Sequence, residues 1–381
     1  MLCGHARVRS AALVGSLLAL LSIARVTGLG SRGVTMRGFA GETAAAAGES
    51  SSRRVVAYFP IWLRNGGYTE NDIDFSTVST VAHFAVRPRA DGTVEIPDWG
   101  PFPDPALVAR AHAAGASIVL VVGGDDAAAR DGFAGMASSP VTRQTFIRAI
   151  TQLVTDDAYD GVDLDWEFPA NADDRGDLDA LVAELRAGLS PGKTLSISVP
   201  ASDDWGRWFD VPALVPDLDW LGAMTYALSG AGWSSRAFHN AALYATFAGE
   251  PSVDGAAAYY LGRGVPPEKL LIGLPFYGER FDSVSALNEP LTSNDGTAVF
   301  YLDVLRLAAS GWAEHRDEAA GVPFLLRNGG SGVVSYDDAI SIQAKCGYVA
   351  THGLGGVIVW HLGQDGEGTD QPLLRAVSAC R

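Results

Sequence analysis

YDGVDLDWEFP, Tyr159 to Pro169, alternates apolar residues with acids from Val162 to Glu167. In an extended strand alternate side chains share a face, so Asp163, Asp165 and Glu167 project one way with successive pairs roughly 6 to 7 Å apart. Val162, Leu164 and Trp166 project the other way, the face that covering helices would bury. Three carboxyl groups then line an interior, where like charges in a low-dielectric setting cannot all ionise. Such crowding weakens the fold, yet it gives chemistry a coupled set of protons. The outermost acid can keep its proton near neutrality and act as a general acid. Glu167 is that acid, closest to the C-terminal end of the strand. Asp160 falls outside the alternation and is expected at the strand entrance. A surface strand with its acids facing water is the competing reading. Parallel strands covered on both faces disfavour it.

Outward from this strand, short β-branched runs alternate with helical patterns, the signature of parallel strands joined by crossover helices. The strand candidates are VVAYFP (55–60), TVAHFAV (80–86), SIVLVVG (117–123), GVDLDW (161–166), TLSISVP (194–200), LDWLGAMTY (218–226), LLIGLPFY (270–277) and GGVIVWHL (355–362). DPALVARAHAAG (104–115) and RQTFIRAITQLV (143–154) carry an apolar period near 3.6. The fold class is therefore α/β, a (β/α)8 TIM barrel, whose active sites sit at the C-terminal mouth. An open doubly wound sheet would need a glycine-rich phosphate turn after its first strand, and none is present. Residues 282–330 exceed a normal connection and predict a small insertion between the seventh and eighth strands.

Arg7 and Arg9 precede an apolar stretch from Ala11 to Ala24 and small residues near Gly28, the layout of a signal peptide over 1–28. An uncleaved anchor is the alternative, though the stretch is short of the roughly 20 apolar residues a span needs. Residues 29–53 read as a flexible linker and 54–381 as the barrel. Of three cysteines, Cys3 lies in the signal segment. Cys346 and Cys380 are compatible with a disulfide or with two buried thiols. No Cys/His cluster has metal-ligand spacing, and no cofactor is expected. The net charge of −16 argues against nucleic-acid or anionic-membrane partners. A neutral partner fits better, and the mature chain is expected to act as a secreted monomer with no membrane attachment.

Asp160, Asp163, Asp165 and Glu167 complete the DxxDxDxE pattern, and on it the chain resembles glycoside hydrolase family 18, the chitinases and their relatives. Further matches follow in order: VVAYFPIW at the first strand, MTY at the sixth, HNAALY (239–244), GVPPEKLLIGLPFYG (264–278), SYDDAISI (335–342) and GLGGVIVWHLGQD (353–365). The insertion resembles a reduced form of the α+β insertion of one branch of that family. The resemblance implies a retaining, substrate-assisted glycosidase acting on chitin or chito-oligosaccharides, an exception to the scheme with two working carboxylates. It implies Glu167 as acid and then base, Asp165 as acceptor from the acetamido N–H, Asp163 sharing a proton with Asp165, and Tyr226 holding the acetamido oxygen. Trp360 resembles the tryptophan beneath the reacting ring. Tyr58, Phe84, Met224 and Tyr277 lie near strand ends, where they either line the pocket or fill the core. Trp205, Trp208 and Trp233 either extend the cleft or cap the barrel.

The chain departs from the family pattern at three places. Ala227 follows MTY where the family usually has Asp, Val121 begins VVGG where the family reads SxGG, and Glu279 stands where Arg usually follows PFYG. Loss of supporting hydrogen bonds loosens a site and shifts its pKa values. Cleavage of peptidoglycan or an N-glycan core, and sugar binding by a retired enzyme scaffold, are the competing functions.

Overall fold

A computed structural model describes residues 53–381 except Ser293 and Glu367. The signal peptide and all but the last residue of the linker lie outside the described residues. Eight parallel strands form the barrel: Arg54–Pro60, Thr80–Pro88, Ser117–Gly124, Gly161–Trp166, Thr194–Pro200, Trp220–Met224, Leu270–Pro275 and Gly356–Trp360. Each pairs with its sequence neighbour, and the first closes the ring by pairing with both the second and the eighth.

The period-two pattern sorts the side chains. Val162, Leu164 and Trp166 join the large apolar layer between strands and helices, where Trp166 stacks on Phe133 with ring centroids 5.2 Å apart. A smaller inner cluster contains Val56, Tyr58, Phe84, Val119, Val121, Trp220, Leu271 and Ile358. Helices begin where short polar side chains satisfy free amides. Asp104 caps Pro105–Ala113, Ser139 caps Pro140–Asp156, and Asn171 caps Ala172–Gly188. Asp338 and Ser341 form a reciprocal capping box on Ala339–Thr351.

Between the seventh and eighth strands lies a five-stranded antiparallel sheet built from Tyr277–Phe281, Thr297–Phe300, Trp312–Asp317, Val322–Arg327 and Val333–Ser335. Helix Tyr301–Ala308 accompanies it, giving the α+β character expected of the insertion. The sheet reaches beyond 282–330 on both sides, because PFYG turns straight from the barrel into the insertion's first strand. HNAALY fastens the two parts together. Asn240 donates through Nδ2 to the Tyr277 carbonyl at 3.0 Å, and its backbone N–H donates to Ser335 Oγ at 2.9 Å.

Cys346 and Cys380 form a disulfide with Cα atoms 4.5 Å apart, joining helix Ala339–Thr351 to the C-terminal turn. Its cysteines stand 34 positions apart in sequence, and the loop they close would contribute about 3 to 4 kcal/mol by restricting the unfolded chain. The double variant Cys346→Ser/Cys380→Ser should unfold at lower denaturant by about that free energy. Equal midpoints for variant and parent would remove this role.

Candidate active site

The fourth strand carries Asp163 and Asp165 inward, only 2% and 3% exposed, while Glu167, just past its end, remains partly open. Register explains how they fit: Val121 lies beside Asp163, Gly123 beside Asp165 and Gly124 beside Trp166. Gly123 has φ +126°, and a Cβ there would fall 2.0 Å from the Asp165 carbonyl oxygen, so only glycine lets the third strand pass this close. Asp160 stands at the strand entrance as expected. Its carboxylate accepts from the Ile118 amide at 2.8 Å and faces His112 Nε2 at 2.9 Å.

Asp163 is held by both oxygens. Tyr58 Oη donates to one at 2.6 Å and Ser196 Oγ to the other at 2.6 Å. Ser198 Oγ lies 2.9 Å from Tyr58 Oη and extends this network. Burial pushes the Asp163 carboxyl up to about 6, with Ser196 and Tyr58 pulling it back. Asp165 is pushed well above the usual carboxylate range by burial, then by Glu167 and Asp163. Its Oδ1 is buried without a hydrogen-bond partner. Glu167 is pushed up to about 8 by burial and then Asp125, with Arg130 opposing. The three acids titrate as a set, and Glu167 holds its proton at neutral pH.

Aromatic rings wall this row. Trp360, at the end of the eighth strand, meets Phe84 and Tyr58 edge-on at 4.8 and 5.4 Å. Tyr226 meets Tyr277 at 6.3 Å, and Met224 packs into the inner cluster. Burial holds the Tyr226 phenol well above its usual range, so it stays protonated, and its hydroxyl has no hydrogen-bond partner among the described residues. Glu167, Asp165, Asp163, Tyr226, Trp360, Phe84, Met224 and Tyr277 therefore converge. Tyr58 converges too, but its hydroxyl is committed to Asp163 and Ser198. Trp233 stands 64% exposed in the loop after the sixth strand, its indole N–H donating to the Ala227 carbonyl at 3.1 Å. Trp205 lies against Phe168 at 5.9 Å. Cis peptide bonds follow Phe84, Glu167 and Trp360. Surface hollows beside Asp72 and Gln371, and beside Arg186 and Lys193, lie away from these acids.

Ser196, Ser198 and Asp125 were missed by the sequence reading. The serines were visible as alternate positions of TLSISVP, hydroxyls on the inward face of the neighbouring strand. Asp125 follows Gly124 and so stands beside Glu167 when the register is continued by one residue.

Fold and site together define a (β/α)8-barrel protein with an acid at the mouth above a buried acid row. A family profile described as glycosyl hydrolases family 18 matches residues 54–365, and the chain belongs to that family. It is 34% identical over 261 residues to a probable endochitinase of Caenorhabditis elegans, covering 61% of this chain and 41% of that one. Against chitinase A1 of Niallia circulans it is 30% identical over 281 residues, covering 64% and 40%. The chain thus spans about two fifths of the length of these relatives. The structure of Ostrinia furnacalis Group IV chitinase in complex with allosamidin superposes with a TM-score of 0.76 at 27% identity, covering 86% of this chain and 98% of that one.

Removing the Ser196 hydroxyl leaves one oxygen of a buried carboxyl without its donor, a loss of about 1 to 3 kcal/mol. Ser196→Ala should lower unfolding stability by this amount in urea at neutral pH. An unchanged midpoint would show that the hydroxyl does not support Asp163.

Proposed function

We propose that this chain is a retaining glycoside hydrolase that cleaves β-1,4-linked N-acetylglucosamine polymers, chitin or chito-oligosaccharides, with the substrate's own acetamido group as nucleophile. The observation that carries this reading is Glu167, a partly open acid whose pKa is pushed up to about 8, directly beyond the buried Asp165. A carboxyl protonated at neutral pH and open to a cleft can deliver a proton to a glycosidic oxygen.

The steps follow from the residues. Glu167 gives its proton to the glycosidic oxygen as the bond to the anomeric carbon breaks. The acetamido carbonyl oxygen closes on that carbon and forms an oxazolinium ion. Asp165 Oδ1, buried and unpartnered, accepts the acetamido N–H and so aligns the carbonyl. Asp163, anchored by Tyr58 and Ser196, favours charge on Asp165 when it takes up a proton itself. No direct hydrogen bond joins Asp163 to Asp165 in the resting site, so this exchange belongs to the substrate-bound state. Tyr226, with a free hydroxyl, donates to the acetamido oxygen. Ionised Glu167 then takes a proton from a water that bonds to the anomeric carbon on the face from which the leaving oxygen departed, while the bond from that carbon to the acetamido oxygen breaks and restores the acetamide, so configuration is retained.

Trp360 offers an apolar ring to the C–H face of the reacting sugar, with Phe84 bracing it, while Met224 and Tyr277 shape the side walls. Tyr58 acts through Asp163. Trp233 offers an exposed ring to a neighbouring sugar. We place the action outside the cell, as a monomer. The disulfide between Cys346 and Cys380 suits an oxidising compartment, and no described helix is long and apolar enough to cross a membrane. The partner is a carbohydrate polymer rather than nucleic acid or membrane.

Glu167→Gln should lower kcat on a fluorogenic chitobioside by about a hundredfold or more, the range for loss of a general acid. Mass spectrometry of chitohexaose digests should show shorter acetylated oligomers with the parent protein. Equal release by variant and parent would exclude Glu167 as the acid.

The pH dependence follows in sign. Activity requires protonated Glu167, so kcat/KM should fall as pH rises through about 8. Asp125 raises this pKa, hence Asp125→Asn should move the alkaline limb to lower pH. Stability behaves likewise. A carboxyl whose pKa is raised on folding favours the folded state below its unfolded pKa, and that advantage is lost as pH rises through the folded value. Between about pH 4.5 and 8 the parent should lose more stability than Glu167→Gln. Parallel stability curves would contradict the raised pKa.

A further inference from the structure

Ser198 lies on the inward face of the fifth strand, only 2% exposed, and the catalytic steps leave its hydroxyl unused. Register sets it between two aspartates. Asp163 pairs with Ser196 and Leu164 with Ile197, so one further step along both strands brings Ser198 beside Asp165. Across the barrel interior, Ser198 Oγ lies 2.9 Å from Tyr58 Oη, which itself reaches Asp163 Oδ2 at 2.6 Å. Two hydroxyls thus stand between carboxyls that share no direct hydrogen bond.

Counting donors fixes the direction of this chain. A hydroxyl has one proton to give and two lone pairs to receive. Tyr58 spends its proton on Asp163, as Ser196 does, so at the contact with Ser198 the tyrosine accepts and the serine donates. The lone pairs of Ser198 are then free to accept, and the carboxyl beside them gives a proton when Asp165 is neutral. Hydrogen bonding by Ser198 pulls the Asp165 carboxyl down against the rise caused first by burial. On the opposite flank Val121 lies beside Asp163 and brings no hydroxyl, so the polar link runs through the first and fifth strands.

We propose that Ser198 is a positioning residue for the reaction, the middle of a hydroxyl chain from Asp165 through Ser198 and Tyr58 to Asp163, along which the proton shared by the two aspartates passes. As the acetamido N–H approaches, Asp165 gives its proton to Ser198 Oγ, Ser198 gives its own to Tyr58 Oη, and Tyr58 gives its own to Asp163. Three O–H bonds break and three form, each hydroxyl ends neutral, and one negative charge moves from Asp163 to Asp165. Ser198 then donates to the new carboxylate, while Asp165 Oδ1, buried and unpartnered, receives the acetamido N–H. Asp165 is ionised without having to swing toward Asp163.

The inference rests on the cleavage proposed above, and kinetics of the full chain on a fluorogenic chitobioside test it. Ser198→Ala should lower kcat about tenfold, the scale of one lost hydrogen bond to a charged group, with KM kept within about threefold because the serine is given no sugar contact. In a Tyr58→Phe background, where the chain is already cut, the same substitution should cost less than about threefold. The acid limb of kcat/KM should move to higher pH, since Asp165 loses a bond that favours its charged form. Asp163, Glu167, Asp125, Tyr58 and Tyr226 also face Asp165, and all of them stay in place in Ser198→Ala. Thermal unfolding establishes that each variant is folded. An unchanged kcat would overturn the proposal. So would an equal loss in both backgrounds, or a loss with the acid limb unmoved, the mark of a merely structural serine. A parent that releases no fluorophore would refute the hydrolase and leave the chain to be tested without turnover. Carboxyl 13C NMR of the ligand-free protein should then show Asp165 titrating at higher pH in Ser198→Ala, and identical titrations would overturn the relay as well.

Discussion

Three carboxyl groups on one inward strand face impose their needs on everything around them. At roughly 6 to 7 Å, two ionised acids repel by about 2.5 kcal/mol at an effective dielectric near 20, and burial adds a larger penalty to each charge. Desolvation is the leading cause of the raised pKa at Asp163, Asp165 and Glu167 alike, so burial dominates and repulsion orders the set. The neighbouring strands answer this in kind. The fifth strand turns Ser196 and Ser198 inward, the first supplies the Tyr58 hydroxyl, and the third gives up side chains at Gly123 and Gly124 so that its backbone can pass the acid row. Each is a residue choice made for the sake of one strand.

The insertion extends the same logic to the mouth. A barrel alone leaves the last acid facing bulk water, where its pKa would relax toward an ordinary value. The sheet begun by Tyr277 brings an aromatic ring to the site, and Asn240, His239 and Ser335 lock that sheet to the loop after the sixth strand. HNAALY thus has a mechanical meaning, because its asparagine holds the Tyr277 backbone while Tyr277 faces Tyr226. Motifs that seem unrelated along the chain are two sides of one wall.

Much of this was legible in the chain. Periodicity gave the strands to within a few residues, since β-branched runs flanked by glycine and proline leave little choice of element. The sixth strand came out shorter than LDWLGAMTY suggested, because Thr225 and Tyr226 leave the ladder: Thr225 uses its hydroxyl to bond the Gly273 backbone. Contacts between strands were less legible, since register is a property of pairs. Asp125 beside Glu167, and the serines beneath Asp163, emerge only when neighbouring strands are aligned. For Tyr58 the sequence left pocket lining and core packing both open, and nothing in VVAYFP tells that its hydroxyl is spent on an aspartate. The disulfide stayed open for the same reason, because Cα separation is a fact of the fold and not of spacing.

The departures at Val121 and Ala227 are where an inactive relative would first show itself, and their surroundings argue otherwise. Val121 lies beside Asp163 and brings no hydroxyl, yet both oxygens of Asp163 already have donors from the first and fifth strands. The missing group is therefore not a missing bond. Ala227 holds φ +49°, a region better suited to Asn, Asp or Gly than to alanine, so the loop keeps its shape after losing the side chain. A scaffold that only bound sugar would gain from replacing buried acids with apolar residues of similar volume, a change that is often neutral or stabilising. Here the row is intact, the last acid is protonated, and an oxygen of Asp165 is left without a partner. Such an arrangement costs stability in the resting protein, and in the function proposed above a substrate amide at Asp165 offsets it.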